Sequence, residues 1–154
     1  MYIILLAIHS VVRWLVLVSL LFAIYRAYTG WFSDKSFSKF DGTVRLITAT
    51  ITHIQLGVGL CLYFISPIIH YFWHNYKDAV KVGEIRFFGM EHSLMMLVGI
   101  IIVTIGSVKV KHKSKDKEKF RTIAIWFTIG LLVILISIPW PFSPFASRPY
   151  FRTF

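Results

Sequence analysis

The sequence predicts an all-α integral membrane protein, a single four-helix bundle over residues 1–154 with both termini on the outer side. Three observations predict it. The chain is 56% hydrophobic with a mean hydropathy of +0.69, more apolar surface than a domain of 154 residues can hide from water. Four apolar runs read as helices over about 2–25, 44–66, 87–108 and 122–139, each near the ~20 residues that cross a hydrocarbon core. The basic residues are divided unevenly among the connections, which sets an orientation.

The first run starts at Tyr2 with no basic residue before it except the chain start. It is longer than the core of a signal peptide, so it is expected to be retained as a helix. Its aromatic end, "YRAYTGW", suits a membrane interface. The second run follows "FDGTVR" and reaches Ser66-Pro67, where proline disfavours helix in the residue before it. A kink or stop is expected there. Residues 67–86 read as an outer aromatic segment, partly interfacial. The third run spans Arg86 to Lys109. The fourth, from Thr122, contains no ionisable residue and is expected to form an outer wall. The proline- and aromatic-rich tail, 140–154, is expected to be extended on the outer surface and to anchor at the interface.

Net charge is +10. Arg26, Lys35, Lys39 and Arg45 flank the first connection, and the basic loop 109–121 carries Lys109, Lys111, Lys113, Lys115, Lys117, Lys119 and Arg121. The other side has Lys77, Lys81, Arg86, Arg148 and Arg152. The positive-inside rule therefore places the two basic connections in the cytoplasm of a multi-pass inner-membrane protein. Its basic loop is expected to meet anionic headgroups of the bilayer rather than nucleic acid. Cys61 is the only cysteine, so no intrachain disulfide is possible.

Ionisable side chains are costly in lipid and face a bundle interior. The expected intramembrane set is His9, Arg13, His53, Glu91 and His92. On the third run Gly89, His92, Met96, Gly99, Val103 and Gly106 share one helical face. On the second, Ala49, His53, Gly57 and Cys61 do the same. Small residues allow close helix approach, and they also leave room for a flat cofactor. His9 lies roughly 10 Å and His92 roughly 9 Å inside their outer helix ends at the helical rise. Two level histidines on facing helices are the arrangement that axial ligation of a b-type haem requires.

Arg13 then needs an anion, for which Glu91 and a haem propionate are the two candidates. Met96 is packing material, a haem ligand or contact, or with His92 and Met95 part of a Cu(I) site. His53 is a third candidate ligand or a proton and quinone contact. Gln55 is an interhelical hydrogen-bonder or a quinone contact. His70 and His74 sit at the outer boundary, and His112 is solvated in the lysine loop.

The segments "HSVVRW", "THIQLGVG", "MEHSLM" and "IPWPFSPFASRPYFR" resemble small four-helix bacterial membrane proteins labelled as b-type cytochromes. That resemblance implies haem b held by His9 and His92, with His53 as a further ligand. Di-haem membrane cytochromes place two histidines about fourteen residues apart on each of two helices, and no helix here does so, which argues against a second haem. The expected function is a membrane electron carrier or cytochrome subunit without independent catalysis, exchanging electrons with the quinone pool or a redox protein. The alternatives are a cofactor-free accessory subunit of a larger membrane complex or homo-oligomer, and a copper-handling membrane protein.

Overall fold

The computed structural model describes residues 1–150, so Arg152 and the last residues of the tail lie outside the described chain. Among the described residues every regular element is helical. The long helices are α1 (Tyr2–Phe32), α2 (Lys39–Ile65), α6 (His92–Lys111) and α7 (Asp116–Ser137). Three short helices, α3 (Pro67–His74), α4 (Tyr76–Ala79) and α5 (Gly83–Arg86), link α2 to α6. A π-helical turn, Phe87–Glu91, joins α5 to α6, making one continuous helical span over Gly83–Lys111. Four helices are long and apolar enough to cross a membrane. In lipid this is the economical solution, because a helix satisfies its backbone groups within itself.

The helices outrun the apolar segments at their charged ends. With 31 residues, α1 is about 46 Å long at 1.5 Å per residue, so its last turns emerge from a ~30 Å hydrocarbon layer. α2 begins ahead of the expected position because Ser38 and Asp41 form a capping box. Asp41 N–H donates to Ser38 Oγ at 3.2 Å, and Ser38 N–H donates to Asp41 Oδ2 at 3.0 Å. The same carboxylate accepts from Arg26 Nε of α1 at 2.8 Å. α7 likewise starts at Asp116, whose turn also carries Glu118, where negative charge offsets the helix dipole. At the other end of α2 the expected break is present. Ser66 is extended and Pro67 opens α3, a position where a missing N–H costs nothing.

α1, α2, α6 and α7 pack in cyclic order, with α2 and α6 touching least. The dense core belongs to α1, α6 and α7: Leu20, Ala23 and Ala27 meet Val103, Ala124 and Phe127. The expectation that the fourth helix is an outer wall is therefore corrected. α7 is the most enclosed of the four, with one face buried in protein and Ile129, Leu132 and Ile136 left exposed on the other, so neither face suits a charge. The glycines explain the enclosure. A Cβ on Gly106 would sit 2.3 Å from Trp126 Cβ, one on Gly99 2.9 Å from Ile134 Cγ1, and one on Gly130 2.6 Å from Val103 Cγ2. These are close-approach positions of the α6–α7 seam, not space kept for a cofactor.

α2 turns its polar residues inward. Arg45 is 6% exposed and donates to Ser107 O at 2.5 Å and Ser107 Oγ at 2.7 Å on α6. It thus ties α2 to α6. Thr48 Oγ1 donates to Ser19 O of α1 at 3.2 Å.

Replacing Gly106 with valine forces the Trp126 backbone away, and overpacking of this kind costs about 1–3 kcal/mol. A lowered thermal unfolding midpoint for Gly106→Val in detergent is the expected outcome; an unchanged midpoint would show that the seam is looser than described.

Candidate functional site

The end of the bundle opposite the lysine-rich connection is where α1 and the Gly83–Lys111 span begin and α2 and α7 finish. A cavity of about 220 Å³ lies there, lined by α1, α2, α3, the π-turn, α6, the end of α7 and the tail. His9, Arg13, Gln55, Tyr63, His92 and Arg148 are its principal polar residues. His9 and His92 do meet: their ring centroids are 6.5 Å apart with planes at 72°.

His92 is aimed by its surroundings. Its Nδ1 lies 2.7 Å from the Ser137 carbonyl at the last turn of α7. A carbonyl only accepts, so Nδ1 carries the hydrogen and Nε2 keeps its lone pair, the arrangement usual for a ligating histidine. The π-turn ends at this residue, with the His92 N–H bonded to Phe87 O, and π-bulges concentrate at functional sites. Tyr63 of α2 donates to Gly89 O at 2.9 Å, and Phe72 of α3 fills the space a Gly89 side chain would need. Phe87 and Phe88 flank the His92 ring at centroid distances of 5.6 and 6.0 Å.

His9 is held from the opposite wall. Gln55 Nε2 donates to the His9 carbonyl at 2.9 Å, and Gly59 leaves room for the ring, since a Cβ there would be 3.3 Å from His9 Cε1. One turn along α1, the Arg13 guanidinium and the Trp14 indole both donate to the Tyr150 carbonyl. The tail is therefore not simply spread on an outer surface. Residues 138–150 have no regular structure but return over α1, with Trp140 and Tyr150 against Trp14. Arg148 lines the cavity, pairs with Glu84 and lies over the Phe88 ring at 4.8 Å.

Polar accounting singles this place out. Among the described residues four buried side-chain polar atoms have no hydrogen-bond partner: His9 Nδ1, Arg13 Nε, Gln55 Oε1 and Arg45 Nε. The first three belong to residues lining this cavity. Each such group costs about 1–3 kcal/mol when left unsatisfied, so water or a polar ligand belongs beside them.

The remaining sequence candidates divide. Met96 lines the cavity, whereas Met90 and Met95 are exposed, so a His92, Met95 and Met96 trio is not assembled. Glu91 is not Arg13's partner; it pairs with Arg86 Nε at 2.7 Å, because the π-turn swings it toward the start of its own span. His53 is exposed and outside the cavity. Its Nε2 lies 2.9 Å from Thr104 Oγ1, and that hydroxyl donates to Ile100 O at 2.7 Å. The hydroxyl therefore accepts from His53, which ties α2 to α6. Arg148, Tyr63 and the Ser137 carbonyl were not singled out from sequence. An arginine inside a proline-rich aromatic tail was the one available signal. Comparison of the chain with family models, curated proteins and solved structures finds no match, so the chemistry rests on this geometry.

A double-mutant cycle separates the two assignments of Glu91. Arg86 and Glu91 should couple by about 0.5 kcal/mol in thermal unfolding, as half-exposed pairs do. Arg13 and Glu91 should be additive, and coupling between them would restore the rejected pairing.

Proposed function

We propose that this protein is a haem b-binding electron carrier of the cytoplasmic membrane, with His9 and His92 as the axial ligands. The meeting of the His9 and His92 rings in a cavity also lined by Arg13 and Gln55, whose Nε and Oε1 have no partner, carries this reading. The two rings meet within the bundle, centroids 6.5 Å apart, and would be the residues to hold the iron of a haem. The Nδ1 hydrogen bond of His92 leaves its other nitrogen free for coordination. Haem b supplies one-electron oxidation and reduction. Arg13 and Arg148 are the residues suited to hold its carboxylates. The apolar lining from Leu56, Leu60, Met96 and Ile138 excludes water and lowers the local dielectric.

Volume sets a condition. The cavity lies below the ~300–1,000 Å³ usual for small-molecule sites, and α7 closes one side with side chains packed into the core. A macrocycle would need the α2–α6 side, the loosest of the contacts between neighbouring long helices, to spread. Gly59 lies on that side, next to His9. A quinone or redox protein reaching the same end of the bundle is the expected exchange partner. The rival is a cofactor-free subunit of a larger complex, favoured by the edge-to-face contact the two imidazoles already make.

Spectroscopy decides between them. Protein purified from haem-replete cells should give a b-type reduced-minus-oxidised spectrum. His9→Ala, His92→Ala and Gly59→Leu should lose it, while His53→Ala and Gly57→Leu, whose side chains face away from the cavity, should keep it. Colourless, well-folded wild-type protein favours the rival.

The cytoplasmic placement of the basic loop is tested by a reporter inserted after Lys113. It should behave as cytoplasmic, and periplasmic reporter activity would invert the proposed orientation.

A further inference from the structure

We propose a second ligand site, independent of the haem reading: His70 and His74 on α3 form a chelate for a late first-row divalent metal ion. The two residues are four apart on a helix, so their side chains stand one above the other on one face. Their rings are stacked, with centroids 4.0 Å apart and planes at 25°; this brings the two imidazoles side by side, and a shared ion requires the rings to turn until one nitrogen of each faces the same point. His74 Nδ1 lies 2.8 Å from the His70 carbonyl, which can only accept. Nδ1 therefore carries the hydrogen, and the Nε2 lone pair is directed outward for a ligand.

The platform is rigid where a chelate needs rigidity. On the far face of α3, Ile69 and Phe72 are buried, and Phe72 packs into the space beside Gly89. Pro67 fixes the first turn. His70 and His74 are both exposed and line a surface concavity with Tyr71 and Asn75, separate from the His9–His92 rings. Imidazole nitrogens favour Cu²⁺, Ni²⁺ and Zn²⁺ over harder ions, and copper is held most tightly of the three. Two protein ligands leave further coordination positions for water or for a donor from a docking partner.

The test is titration of the full-length detergent-solubilised protein with Cu²⁺ and Zn²⁺ against a weak competing chelator. One ion should bind per chain, with Cu²⁺ tighter than Zn²⁺ and nitrogen coordination in the Cu²⁺ electron paramagnetic resonance spectrum. His70→Ala and His74→Ala should each weaken binding by at least tenfold. His112→Ala and His92→Ala should leave it unchanged. The proposal is overturned by affinity that survives both α3 substitutions, by loss of binding in His92→Ala, or by no binding in competition with the chelator. Because His70 and His74 are not among the residues lining the His9–His92 cavity, an intact b-type spectrum in His70→Ala distinguishes failure of this site from failure of the other.

Discussion

The contact between α6 and α7 determines where the rest of the molecule goes. Gly99, Gly106 and Gly130 remove the side chains that would hold the two helices apart, and Phe127 and Val103 then close against each other with no exposed surface. Between lipid-soluble helices there is little hydrophobic driving force, so association relies on such close packing and on hydrogen bonds. The seam also carries chemistry. Running along it to the end of α7 brings the Ser137 carbonyl onto His92, so the orientation of one imidazole follows from glycines several turns away. Helix α2, which touches α6 least, is held instead by polar ties, Arg45 to Ser107 and His53 to Thr104. The bundle thus has one side closed by packing and one side joined by hydrogen bonds. The cavity reaches the second.

That division explains the distribution of polar groups. Toward the lysine-rich end, the buried charges are engaged: Asp41 takes the Ser38 cap and Arg26, and Arg45 reaches Ser107, with only its Nε left over. At the opposite end the polar atoms of His9, Arg13 and Gln55 are brought together without completing one another. A bundle that needed only a polar lock at this level would be better served by mutual hydrogen bonds. Arg13 turns instead to a main-chain carbonyl of the tail, a neutral acceptor for a charged donor.

Much of the architecture was legible in the sequence, because the four apolar runs and the Pro67 break are local signals that a bilayer amplifies. The level placement of His9 and His92 was legible too, since helical rise converts residue counts into depth. What failed was azimuth. The charge-free fourth run looked like a lipid-facing wall, yet a helix buried in protein and one buried in lipid have the same composition. The partner of Glu91 depended on a π-helical turn, which leaves no mark in hydrophobic periodicity. The inward turn of Arg45 was hidden because an arginine near a helix end was counted only as charge flanking a connection. The capping box at Ser38 and Asp41 was present in "SKFD" and would have corrected the start of α2. Arg148 was counted as surface charge because nothing in a proline-rich tail specifies that it folds back.

The wide turn at Phe87–Glu91 has a mechanical meaning. It stores one residue more per turn than the helix that follows, so the chain before it is out of phase with the chain after it by about 100°, the angle of one α-helical residue. In that phase Phe87 and Phe88 lie against the His92 ring, so the surplus residue decides which side chains bound the imidazole.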